Sequence, residues 1–217
     1  KGHAPHGVPA GQLLLAGHYV DHELVANIDT DCRARRDRMA AKQPRRLLLS
    51  IGGAGAQQDL YADILAHLLP MVEAGKVTLF LNVGDHANAW TALRRRVPGL
   101  EGAATMHTDW EDTLAFAASL VASGSGFQPE HVAAGSPSPG GLHVFLHDDT
   151  FCAVYATNLL MRAADVLVTK PSELAFYPIP TLFLPRVGGH EAWGAIRGAE
   201  LGYGTVECTD TPTTRQA

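Results

Sequence analysis

The apolar residues of this chain fall in short unbroken runs set between longer amphipathic stretches. The runs are RRLLLSI at residues 45–51, VTLFLNV at 77–83, ATMH at 104–107, LHVFL at 142–146, VLV at 166–168 and TLFL at 181–184. Apolar runs without alternation mark strands covered on both faces, as a parallel sheet requires. A further short strand is read at residues 12–16. Between the runs lie helical patterns over residues 22–41, with Leu24, Ile28 and Met39 on the apolar side and the arginines outside, and over 58–73, with Leu60, Ile64, Leu68 and Met71 at helical spacing. Shorter helices are read over 87–96, 112–122 and 151–164. Strand and helix in regular alternation predict an α/β domain, a doubly wound parallel sheet with helices on both faces. The domain is placed at residues 12–206, after a linker at 1–11 and before a polar tail at 207–217. The Gly-, Pro- and Ser-rich tract at 124–141 reads as a surface loop.

Residues 165–202 concentrate the candidate chemistry. The run at 166–168 stops at Thr169-Lys170-Pro171, where proline forbids a continuing ladder and suits the first turn of a helix, with Thr169 or Ser172 to cap it. The run at 181–184 stops at Pro185, and Gly188-Gly189 opens another helix with His190 and Glu191 in its first turn. Two strand ends therefore deliver two helix starts, whose unpaired N–H groups favour phosphate. A strand, glycine turn and helix also follow one another at residues 45–73, with Gly52, Gly53 and Gly55 in the turn. No glycine stands three residues after Gly55 and no Gly-Lys-Ser/Thr closes the turn, so neither the dinucleotide fingerprint nor the P-loop is met. Glu173, His190 and Glu191 are candidate ligand contacts, although each glutamate also suits a helix cap.

Charge and composition exclude more than they assign. The net charge is −5 with 18% charged and 46% apolar residues, an ordinary globular composition without a basic arm, so nucleic acid is not the expected partner. The arginine groups at 33–38, 45–46 and 94–96 read as solvated helix and strand borders. No apolar run reaches the roughly 20 residues of a bilayer span. Three separated cysteines without CxxC spacing imply a reduced, cytoplasmic protein, with Cys152 in the core of its helix. Eleven histidines invite a metal, but neither His18 and His22 nor His147-Asp148-Asp149 has ligand spacing, and no metal is expected.

The run Ala164-Asp165-Val166-Leu167-Val168-Thr169-Lys170, with Glu173-Leu174-Ala175, Ile179-Pro180-Thr181-Leu182-Phe183-Leu184-Pro185 and His190-Glu191-Ala192-Trp193-Gly194-Ala195, resembles the carboxyl-terminal, donor-binding half of GT-B glycosyltransferases, family 28 in particular. The resemblance implies a Rossmann-like fold and a nucleotide-sugar substrate, UDP-linked in that family, without a cofactor. It places Gly52, Gly53, Gly55, Lys170, Ser172, Glu173, Gly189, His190 and Glu191 at the donor, with Glu173 on the ribose. The acceptor and the catalytic base would come from an amino-terminal domain of a longer protein, and peripheral membrane contact stays open. Pro171-Ser172 is shorter than the family's loop at this point, and Gly194 stands where an asparagine is usual. Two alternatives therefore stand beside a transferase: a binding or scaffold domain without catalysis, and a nucleotide-sugar epimerase or hydrolase.

Overall fold

The computed structural model describes residues 9–12, 14, 20–51, 57–122, 140–171 and 177–208. Six strands, β1 (Arg45–Ser50), β2 (Val77–Gly84), β3 (Ala104–His107), β4 (Leu142–Leu146), β5 (Val166–Thr169) and β6 (Thr181–Phe183), form a sheet in the order β3-β4-β2-β1-β5-β6 with every pairing parallel. The helices are α1 (His22–Ala26), α2 (Ile28–Ala40), α3 (Gln58–Glu73), α4 (Ala87–Arg96), α5 (Leu100–Ala103), α6 (Trp110–Ala122), α7 (Thr150–Ala163) and α8 (Ala192–Leu201).

The core divides at the sheet. On one face Leu49, Leu79, Leu81 and Val83 meet Tyr61, Leu65 and Leu69 of α3 and Trp90 and Leu93 of α4. On the other, Leu48, Phe80, Phe145 and Leu167 meet Leu24 of α1, Phe116 and Leu120 of α6 and Leu160 of α7. Successive residues of one strand, such as Leu48 and Leu49, serve opposite layers because strand side chains alternate. Both are fully buried, and this is why the central strands carry unbroken apolar runs. The doubly wound α/β class read from the alternation is therefore the fold of the chain.

Several local expectations change. The helix expected over 22–41 breaks at Asn27, whose side-chain amide donates to Glu23 O at 2.7 Å. Its arginines do not all face water. Arg35 and Arg38 are buried, whereas Met39 is 50% exposed. Arg35 donates to Ala164 O (2.8 Å) and Met161 O (3.3 Å), and Arg38 to Ala163 O (3.1 Å), so α2 supplies cations to the unpaired carbonyls at the end of α7. Arg46 is buried likewise and reaches Leu120 O in the last turn of α6. In α3 the expected stripe holds at Ile64, which is buried, and at Leu60 and Leu68, which pack against the core; the buried face widens to Tyr61, Leu65, Leu69 and Val72, and Met71 is 37% exposed. Tyr61, fully buried, donates to Ser50 O at 2.7 Å. Cys152 sits partly exposed rather than in the core.

The carboxyl-terminal segment stays in the fold longer than expected. Thr205 N donates to Thr181 O and Cys208 N to Phe183 O (3.0 and 2.8 Å), so residues 203–208 run beside β6, and Cys208 is buried. A Cβ at Gly198 or Gly204 would stand 2.5 or 2.4 Å from the Phe183 ring, which explains both glycines by close approach. The strand read at 12–16 lies mostly outside the described residues, and Gln12 itself closes a 3-10 turn. The loop at 124–141 also lies outside them, apart from its last two residues.

Candidate functional site

In an open parallel sheet, ligands bind beyond the carboxyl ends of neighbouring strands whose outgoing connections lie on opposite faces. Among the described residues, two such places occur. The chain leaves β2 for α4 on one face and β4 for α7 on the other. It leaves β1 for α3 on the first face, whereas the stretch after β5 returns through Tyr177 and Ile179 on the second.

Electrostatics separate the two crevices. At β2 and β4, Asp149 caps α7 by accepting from Phe151 N (2.7 Å) and Cys152 N (3.2 Å). Asp85 there accepts from Thr150 Oγ1 at 2.8 Å, and that bond holds its carboxyl below the usual range. This end is acidic, and its helix start is already filled by a carboxylate. At β1 and β5, the N-cap residue of α3, Gln57, makes no side-chain cap bond. Lys170 follows β5 directly and brings a cation.

Around β1 and β5 the strand ends are tied together. Ser50 O accepts from Tyr61 and, at 3.4 Å, from Thr169 Oγ1. Ser50 Oγ lies 3.3 Å from Thr157 Oγ1, which also receives Asn82 Nδ2 at 2.7 Å, so three buried polar side chains join β1 and β2 to the middle of α7. Gln57 stands at the entry to α3 in the left-handed region, φ 65°, and its Nε2 donates to Pro185 O at 2.5 Å. Because β5 lies between β1 and β6, this side chain bridges across the end of β5. Lys170 Nζ donates to Glu191 Oε1 at 2.5 Å, and Glu191 Oε2 accepts from Val187 N (2.7 Å) and Gly188 N (3.1 Å). Burial pushes the Glu191 carboxyl up, but Lys170 and the two amides outweigh it and hold it below the ordinary range.

Of the residues singled out in the sequence, Lys170 and Glu191 are brought into direct contact across the ends of β5 and β6. Gly189, His190 and Glu191 form the 3-10 turn that opens α8. Glu191 acts there as the cap that its position allowed. Gly52, Gly53, Gly55, Ser172 and Glu173 lie outside the described residues. Gln57 was missed as a candidate, since a glutamine after a glycine turn carries no motif. Its signal is a left-handed conformation at a residue other than glycine.

The histidines gather elsewhere. His107 Nε2 lies 3.0 Å from His143 Nδ1, the His107 ring stacks on Phe145 with centroids 4.6 Å apart, and His147 Nε2 lies 3.2 Å from Thr113 Oγ1. Among the described residues no three His, Cys, Asp or Glu side chains converge as a metal would need. Nor is any described helix long and apolar enough to cross a membrane.

Sheet order, layering and the two crevices define a Rossmann-like, doubly wound α/β domain. The chain belongs to the family described as a domain of unknown function, DUF6938, which matches residues 8–217. Searches of curated proteins and of solved structures each returned no match.

Proposed function

We propose that the chain is the donor-binding half of a glycosyltransferase, taking a nucleotide-sugar, UDP-linked, in the crevice at the carboxyl ends of β1 and β5. The observation that carries this reading is the contrast between the two crevices. One is acidic with a carboxylate on its helix start; the other holds the Lys170–Glu191 pair and opens on α3, a 16-residue helix whose N-cap residue makes no side-chain cap bond. A diphosphate is stabilised by the second arrangement and repelled by the first. The glycine turn at 52–56 and Glu173 supply the remaining donor contacts, as the family 28 resemblance implies.

In this mechanism the negative charge growing on the leaving diphosphate is met by the first-turn amides of α3 and by the Lys170 ammonium, groups fixed before the reaction begins. The general base that activates the acceptor hydroxyl belongs to an amino-terminal acceptor domain of the same longer protein. The reading places the protein in the cytoplasm, where nucleotide-sugars are its substrates, with no cofactor and no nucleic-acid partner. The ion pair with Glu191 favours one second reading. Lys170 is already neutralised within the chain, as suits a binding or scaffold domain without transfer.

Calorimetric titration with UDP and UDP-sugars tests the proposal. The wild type binds, and Lys170→Met and Glu173→Ala each weaken binding by about 10- to 100-fold, the loss expected for a hydrogen bond to a charged group. Absence of binding by the wild type to UDP and to every UDP-sugar tried removes the donor site and leaves the scaffold reading.

A further inference from the structure

Gln57 carries an oxygen that no described residue uses. Its Nε2 is spent on Pro185 O. A carbonyl only accepts, so this bond fixes which end of the amide is nitrogen and leaves Oε1 at the other end. Oε1 is buried and has no hydrogen-bond partner among the described residues. A buried amide oxygen without a donor is costly, and native structures rarely keep one that nothing ever fills. The backbone at Gln57 has φ 65°, a conformation that glycine adopts more readily. The turn therefore gains nothing from glutamine, and what this position contributes is the side chain. That side chain spans the end of β5 between the start of α3 and the loop after β6, inside the crevice assigned to the nucleotide.

We infer that the Gln57 amide oxygen accepts a hydrogen bond from a hydroxyl or ring N–H of the nucleoside bound in this crevice. The inference rests on the nucleotide reading given above. Because Pro185 holds the amide, Oε1 cannot turn into a donor to suit a ligand that offers only acceptors. A site of this kind rejects analogues lacking the donor far more strongly than it rejects small changes in apolar bulk. Gln57 is thus a specificity residue, separate from the cation at Lys170, which answers to the phosphates.

The test is a cycle of protein and ligand deletions, read by calorimetry on the folded chain. Wild type and Gln57→Leu are titrated with UDP, 2′-deoxy-UDP and N3-methyl-UDP, with thermal melts of both proteins alongside. Gln57→Leu is expected to bind UDP about tenfold more weakly. One of the two analogues should bind the wild type that much more weakly and lose nothing further on Gln57→Leu, naming the donor as the ribose hydroxyl or the base N–H. Equal affinity of the two proteins for UDP overturns the inference and leaves the nucleotide site standing, as does an equal loss for all three ligands. No affinity of the wild type for UDP overturns the nucleotide reading, and the inference with it. Should Gln57→Leu melt below the assay temperature, the side-chain Nε2 resonance of Gln57 in wild type answers the same question. It moves on UDP addition if Oε1 accepts a bond; an unmoved resonance in UDP-saturated protein overturns the inference.

Discussion

Asp165→Ala is expected to destabilise the fold by about 3–5 kcal/mol, the range for removing one partner of a buried ion pair. Asp165 Oδ1 accepts from Arg38 at 2.6 Å and 3.2 Å, and Oδ2 from Arg46 N at 2.9 Å. The carboxylate and the Arg38 guanidinium are each only 5% exposed. Arg46 lies close enough to feel both charges. Burial lowers its pKa to about 10, Arg38 pushes the same way, and Asp165 pushes back. One carboxylate therefore serves two buried cations at the junction of α2, β1 and β5, and its loss leaves both without compensation. At roughly 2–4 °C per kcal/mol for a chain of this size, the midpoint should fall by on the order of 10 °C. Replacing Arg38 and Asp165 together by Met and Leu should recover a large part of the loss, because apolar residues of similar volume need no partner. Urea unfolding at pH 7 reads both variants. Asp165→Ala within about 1 kcal/mol of wild type would show that the junction is not held by this pair.

A second large effect is set by pH. Burial, followed by repulsion from His147, drops the pKa of His107 from its ordinary value to about 4, against a weaker opposing pull from Asp112. Its Nε2 lies 3.0 Å from His143 Nδ1, a pair that an imidazolium at His107 can still make as donor, so what disfavours protonation is the burial of the charge. The unfolded chain takes up this proton below about pH 6.5, whereas the folded chain resists until about pH 4. The stability linked to His107 is therefore complete above pH 6.5 and is lost as pH falls from 6.5 to 4, by about 3 kcal/mol at ~1.4 kcal/mol per pH unit. His147, also lowered by burial, adds to the loss in the same direction, with Asp109 and Asp148 opposing its shift. The depressed carboxyl of Glu191 works in a lower window. Its contribution is present above the ordinary carboxylate range and is lost only as pH falls through it. Stability measured by urea midpoint should thus begin to fall near pH 6.5. His107→Phe, which keeps an aromatic ring against Phe145, should flatten the profile between pH 6.5 and 4.5. A wild-type midpoint constant from pH 7 to 5 would contradict the assignment.

What could be read from sequence follows the range of the interactions involved. The bounds of α3 and the full burial of β2 were legible because local periodicity and unbroken apolar runs record them. The order β3-β4-β2-β1-β5-β6 was not, since nothing in a run of apolar residues says that β4 inserts between β2 and β3. The arginines of α2 looked solvated because their partners are remote. Arg35 caps carbonyls 126 and 129 residues away, and no window of neighbouring residues contains both halves of that contact. The candidate site divides the same way. Lys170 and Glu191 were legible as polar residues at strand and helix borders, but their contact depends on β5 and β6 pairing. Gln57 became visible only through its bond to Pro185 and its left-handed backbone, two facts that composition does not encode.

The central claim is that the nucleotide occupies the crevice at β1 and β5 rather than the one at β2 and β4. Amide hydrogen exchange with and without saturating UDP tests it most directly, since it reports location as well as binding. Slowed exchange at Gln57 and the first turn of α3, at Lys170, and at residues 187–191 is the predicted result. Protection confined to Asp85, His147 and the first turn of α7, or no protection at all, would contradict it.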